Sequence, residues 1–194
     1  MSPILGIYAS QISGHLVPPN SYASIQTVTV GSGGASSITF SSIPSTYTHL
    51  QIRGIAQSAA TTFIEDGKIQ FNGDTGSNYI RHALMGNGAS VAAYSTSSTG
   101  ILVDAMVSGT VSGTANIFAD SVIDILDYTN TNKNKTMRML SGYDANGSGS
   151  VRLTSSAWFS TAAINIFSVD IGNYWATGSR IDLYGISTSN ATGA

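Results

Sequence analysis

The clearest alternation of apolar and polar positions lies in residues 36–56, SSITFSSIPSTYTHLQIRGIA. Leu50, Ile52 and Ile55 are apolar there, while His49, Gln51 and Arg53 are polar. A period of two sends alternate side chains to opposite faces of a strand. Pro44 and Ser45 stand between Phe40 and Tyr47, where a β-turn would place them. The pattern predicts a hairpin that nucleates a β-sandwich, with the other strands laid against it.

The rest of the chain reads in the same alphabet. Residues 24–30 (SIQTVTV) alternate and predict a strand, with a turn over 31–35. Residues 57–62 predict a loop. A short strand over 68–71 ends at the turn dipeptide Asn72-Gly73, and another over 78–85 is closed by Gly86-Asn87-Gly88. Residues 95–100 predict a loop, 101–106 a strand and 109–113 a turn. Residues 116–128, NIFADSVIDILDY, fit the helical and strand templates about equally. Their β neighbours and the irregular spacing of Asp120 to Asp127 favour a strand with a bend. Residues 129–135 predict a polar loop tip. Strands over 136–143 and 150–159 flank Asn146-Gly147-Ser148-Gly149, a hairpin connection. The penultimate strand is expected at 163–171, Tyr174 and Trp175 in a loop, and the last strand at 180–186. About ten strands at roughly 8–12-residue spacing predict an all-β protein, an antiparallel β-sandwich of jelly-roll type. No βα alternation suggests a parallel sheet.

Charge divides the chain differently. The first 52 residues hold no Lys, Arg, Asp or Glu; Arg53 is the first. Pro18-Pro19 stiffens the chain within this stretch. The reading is an extended N-terminal arm over residues 1–19 and a single sandwich domain over 20–194. Ile4, Leu5, Ile7, Tyr8, Ile12 and Leu16 make the arm apolar. Such an arm needs covering, by its own domain or by a neighbouring subunit or larger particle. The second choice makes those six residues a partner-binding surface. With no basic n-region before Ile4, the segment is not expected to be a signal peptide.

Composition narrows the class. Charged residues are 9% of 194, against ~25% in typical domains. Serine, threonine and glycine number 30, 20 and 21. Few charges and many hydroxyls suit either a low-complexity linker or an all-β protein. The 42% of hydrophobic residues favours the second, because a linker lacks the apolar surface to offset ordering entropy. Net charge is −2 and the pI about 5.8, which argues against a nucleic-acid partner. Cysteine is absent, so no disulfide framework or thiol chemistry is expected, and assembly inside a cell is favoured. No run approaches the ~18 apolar residues of a membrane helix, and no membrane partner is expected.

Candidate chemistry is sparse. Asp74-Thr75-Gly76-Ser77 spells the aspartic-protease tetrapeptide, whose chemistry needs two carboxylates sharing a proton. Here Asn72-Gly73 precedes it, so it reads as a polar turn. Glu65, Asp66 and His82 match no acid–base or metal spacing. Asp120, Asp124 and Asp127 are the densest acidic group but lack a calcium-loop pattern, and no metal is expected. No nucleophile elbow and no phosphate-binding glycine loop occurs. The expectation is therefore no catalytic residue, no cofactor and no enzyme. The best exposed contact site is the tip with Asn130, Asn132, Lys133 and Lys135, joined by Trp175 as a partner or glycan contact. The pairs Trp158-Phe159 and Tyr174-Trp175 read either as a sugar platform or as core and inter-subunit packing.

Two segments are similar as wholes to a known group. Ile38, Phe40, Ile43, Pro44, Tyr47 and Leu50 form one strand-turn-strand signature. Phe71, Asn72, Gly73, Asp74, Asn78 and Tyr79 form a second, with a Gly-Asn-Gly turn soon after. Over roughly its first 90 residues the chain resembles small jelly-roll structural proteins of tailed bacteriophages, and the opening SPILGIYASQISGHL resembles their N-terminal arm. The resemblance implies a virion component assembled in the bacterial cytoplasm, often a homotrimer. It implies a head decoration or cement protein bound to the major capsid protein or other virion subunits. The alternative within the group is a tail-fibre or receptor-binding module that contacts host surface glycan.

Overall fold

A computed structural model describes residues 21–59, 64–108 and 116–188. They contain twelve strands and no helix. The strands are β1 (Tyr22–Thr29), β2 (Ala35–Phe40), β3 (His49–Ser58), β4 (Ile64–Phe71), β5 (Tyr79–Gly86) and β6 (Val91–Ser98). They continue with β7 (Ile101–Ser108), β8 (Ala119–Leu126), β9 (Lys135–Asp144), β10 (Gly149–Trp158), β11 (Phe167–Trp175) and β12 (Arg180–Ile186). The arm residues Ile4, Leu5, Ile7, Tyr8, Ile12 and Leu16 and the turn expected at 109–113 lie outside the described residues.

The hydrogen bonding forms one open and almost wholly antiparallel network. One run of neighbours is β1-β12-β3-β8-β9-β10-β5-β6, antiparallel throughout. The other is β2-β11-β4-β7, also antiparallel. The two runs meet at the end of β3. There Gln57 and Ser58 pair in parallel with Val107 and Ser108, and Ser58 also pairs with Trp175. Buried side chains from both runs belong to one apolar cluster. Phe40, Phe71, Phe167 and Val169 come from the shorter run, and Leu50, Ile125, Met137 and Trp158 from the longer. Aromatic rings tie its centre together: Phe71 lies 5.4 Å from Trp158 and 6.3 Å edge-on from Phe167.

The predicted hairpin at residues 36–56 does not form. β2 pairs with β11, whereas β3 pairs with β12 and β8. The alternation holds for Ile38, Phe40, Leu50 and Ile52, all buried, but Ile55, read with the same apolar set, falls on the opposite face and is exposed. The connection is what the reading mistook. Eight residues separate the strands, and they are held by distant parts of the chain rather than by each other. Ile43 is buried and its N–H donates to the Asn165 carbonyl, while the Tyr128 hydroxyl donates to the Pro44 carbonyl. The Tyr47 ring lies over Gly185, leaving no room there for a Cβ. The segment around Pro44 thus carries the chain from one run of strands to the other.

Three further expectations are corrected. Residues 95–100 are not a loop, because β6 occupies Val91–Ser98. Its side chains alternate between exposed and half-buried, so no apolar stripe announced it. Tyr174 and Trp175 are not in a loop either; they end β11. The pairing with β2 shifts between Asp170 and Trp175, around Gly172 at φ +74°. A glycine in the left-handed region accommodates a bulge, and the strand resumes beyond it. Asp170 fastens the bulge by accepting the Gly172 N–H at 2.7 Å. Finally, residues 116–128 form one regular strand only over Ala119–Leu126, closed by Asp127 at φ +49°.

Candidate functional site

β9, β10, β5 and β6 form one end of the long run, and the polarity is inverted along β10 and at neighbouring positions of β5 and β9. Along β10 the buried positions are Ser150, Arg152, Thr154, Ser156 and Trp158. The exposed positions between them include Val151 and Leu153. On β5 Arg81 is buried and Leu84 exposed; on β9 Ser141 is buried and Leu140 exposed. Arg81 and Arg152 reach inward to opposite oxygens of Asp66, within β4 of the neighbouring run where its pairing with β7 shifts, each at 3.3 Å. The Arg81 guanidinium also lies 5.1 Å over the Tyr94 ring. The inner face therefore carries a salt-bridged polar patch beside the buried Tyr79, Met137, Met139 and Trp158, and the outer face carries exposed hydrocarbon.

Register gathers that hydrocarbon into a row. Leu140 pairs with Leu153, Leu153 with Leu84, and Leu84 with Ala93. The three leucines are 53–57% exposed. A second row runs from Gly142 through Val151 and Gly86 to Val91, which is 81% exposed. Between β10, β5 and β6 lies a shallow groove of about 500 Å³ lined by His82, Leu84, Ala93, Ser95, Leu153 and Ser155. Among the outward positions of these four strands, Arg138 and Asp144 are the charged side chains, and both sit on β9. Monomer surfaces seldom carry contiguous apolar patches of several hundred Å² unless something binds there. No motif pointed to this face. The signal was nevertheless present, as apolar and polar letters swapped in phase along β10 relative to Trp158.

The contact tip is only partly what its letters suggest. Asn132 and Lys133 are exposed, and Asn130 is half-buried. Asn130 Oδ1 accepts the Asn132 N–H at 2.8 Å, and Lys133 Nζ reaches Asp127 at 2.8 Å. Lys135 is not exposed: its relative exposure is 0%. Its Nζ donates to the carbonyls of Asn130 (2.6 Å), Lys133 (2.9 Å) and Thr161 (3.1 Å), so it locks the tip onto the segment before β11. Loss of hydration holds its pKa below the usual lysine value, with Asp127 opposing. Alternation from Met137 and Met139 back to Lys135 places it on the inner face. Trp175 is also fully buried and cannot contact a glycan. Its neighbour Tyr174 is exposed, as is Phe159 beside the buried Trp158. Phe159 and Tyr174 lie at opposite ends of the strands, one held by Asn78 and the other by Ala59, so they make no shared sugar platform.

The carboxylates are engaged in structure. Asp74 Oδ2 accepts the indole N–H of Trp158 at 2.7 Å and the Asn78 amide at 3.0 Å. Its Oδ1 accepts the Gly76 N–H at 2.8 Å. These bonds, Trp158 first, hold its pKa below the ordinary aspartate value. The Tyr79 hydroxyl donates to the Asp74 carbonyl and accepts the Phe71 N–H, both at 3.1 Å. Burial pushes the Tyr79 pKa up to about 12. The protease-like tetrapeptide is thus a clamp on the aromatic core. Asp127 is lowered by its bond from Lys133 and has His49 Nδ1 at 3.5 Å. Asp124 accepts from Gln51 at 2.8 Å. Among the described residues no three metal-ligating side chains converge. Asp66 is directed to the two arginines and His82 to the outer face.

No protein-family model matches the chain, and no curated protein matches it.

Proposed function

We propose that the chain is a non-enzymatic structural component of a bacteriophage virion, a head decoration or cement protein that binds across capsomers. The proposal takes the two strand runs as the layers of a jelly-roll sandwich and residues 4–16 as an anchoring arm, in a homotrimer. The observation that carries it is the inverted outer face of β9, β10, β5 and β6. A protein that exposes leucines and buries arginines on one sheet face is suited to adhesion, because the exposed hydrocarbon gains ~25 cal/mol per Å² when covered. Repetition by symmetry multiplies that gain over a particle. The tip at Asn132 and Lys133 then faces outward. Gold-labelled antibody against the chain, applied to virions of the phage that encodes it, tests the reading. Label on heads is expected, and unlabelled particles overturn it.

A tail-fibre or receptor-binding role is the second reading, favoured by the exposed ring of Tyr174. It requires label on tails and binding of the purified chain to host polysaccharide, weakened by Tyr174→Ala.

A further inference from the structure

We propose that the occupant of the leucine face is a second copy of this chain, packed face to face about a two-fold axis that runs along the row Leu140–Leu153–Leu84. The inference rests on the adhesive reading of this face and gives its occupant as a neighbouring copy, so contact with the particle is left to other surfaces.

Three observations select a copy of the chain. The first is size. Four neighbouring strands of eight or more residues present roughly 500 Å² in plan at ~4.8 Å spacing and ~3.3 Å rise. The accessible area of a face studded with side chains exceeds its plan, which brings it near the ~800 Å² per partner of a standard interface. The second is likeness. An uncharged apolar row offers no field to select an unlike charged partner, and packs best on another uncharged row. A patch that meets itself is isologous and closes at two. The third is the placement of charge. Arg138 and Asp144 lie on either side of Leu140 along β9. An axis along the leucine row reverses strand direction in the partner, carrying each arginine toward the other copy's aspartate side. Two outer faces packed in this way sit ~10 Å apart, the spacing of ordinary stacked sheets.

The glycines fit this contact. Gly142 and Gly86 flank Val151 on either side. The two-fold sets them opposite the partner's Arg138 and the partner's His82, and their missing side chains leave room for those longer ones. β6, whose eight residues VAAYSTSS carry no charge and no proline, ends the sheet beside the row. Exposed sheet edges ordinarily carry a lysine, a proline or a bulge against unwanted pairing.

The full-length chain is measured by light scattering over a range of concentrations. A mass that is an even multiple of the chain is expected, either a pair or paired trimers; a monomer or a lone trimer overturns the proposal. Leu153→Asp and Leu84→Asp each place a carboxylate in the row at an already exposed position. Each is expected to halve the mass while the far-ultraviolet spectrum is unchanged. An unchanged mass in both variants overturns the proposal. Because the chain has no cysteine, Leu153→Cys gives a single thiol near the axis. A short bismaleimide is expected to link it into covalent pairs and to leave Tyr174→Cys unlinked; equal linking of the two overturns the face assignment. If the Asp variants lose particle labelling with no change of mass, the face serves the particle, and the pairing fails while the virion function stands.

Discussion

The two ends of the inner layer differ in kind. Where β4, β5, β10 and β11 converge, Phe71, Tyr79, Trp158 and Phe167 pack ring on ring and Asp74 clamps the indole from outside. Six residues earlier on β10, the same inward parity holds Arg152, bridged with Arg81 to one carboxylate. The aromatic end is built on burial, worth several kcal/mol per large side chain. The arginine end exchanges hydration for ion pairing, which in buried pairs roughly cancels. It therefore contributes little net stability, and its outward face is correspondingly apolar. The lesson is that one strand has two characters: its Trp158 end holds the fold, and its Leu153 segment presents hydrocarbon to the outside.

Removing the indole breaks this contrast most severely. Trp158→Ala is expected to cost about 3–5 kcal/mol in urea unfolding, because a large buried ring leaves a cavity. It also frees Asp74 from its main partner. A cost under ~1 kcal/mol would mean that the aromatic end does not hold the fold. Asp74→Ala, which keeps the ring and strands its N–H, is expected to cost about 1–3 kcal/mol. The wild-type clamp should also weaken in acid. Asp74 is held below its ordinary pKa, so its contribution is full above about pH 4 and is lost as pH falls through the lowered value. Asp74→Ala should show a flatter acid limb.

Alkali probes the same end more gently. Tyr79 has a folded pKa near 12 against an ordinary value near 10. The unfolded chain releases that proton first, so stability is full below pH 10 and falls as pH rises toward 12. Tyr79→Phe should start slightly less stable and lose less over that interval, read by thermal unfolding across pH. The smallest effect is expected on the other face. Leu153→Ser, measured in dilute protein, should change unfolding free energy by no more than ~0.5 kcal/mol, as surface substitutions do. A loss of several kcal/mol would show that Leu153 belongs to the core.

Much of the fold was legible because strand alternation is local. β9, β10 and β12 stand almost where their letters put them, and Asn146-Gly147 closes the β9–β10 hairpin as expected. Tyr174 and Trp175 were read as a loop because the strand resumes only beyond a bulge at Gly172, which the pairing with β2 shows and the letters do not. β6 was missed because VAAYSTSS buries neither face fully. Lys135 was assigned to an exposed contact for its polar neighbours and Trp175 as an aromatic in an expected loop, yet three carbonyls collect the lysine and the indole is fully buried. The leucine face was hidden for a different reason. Leu140, Leu153 and Leu84 are 13 residues apart on β9 and β10 and 69 apart on β10 and β5, and only register aligns them.

By itself the sequence determined that this chain would form strands, where most of them would run, and that very little charge would be available to its surface. Alternation defines two faces for each strand without saying which one is inside. That choice belongs to tertiary structure. Asp66, brought from β4 to face β5 and β10, lets two arginines turn inward and obliges the leucines between them to turn out.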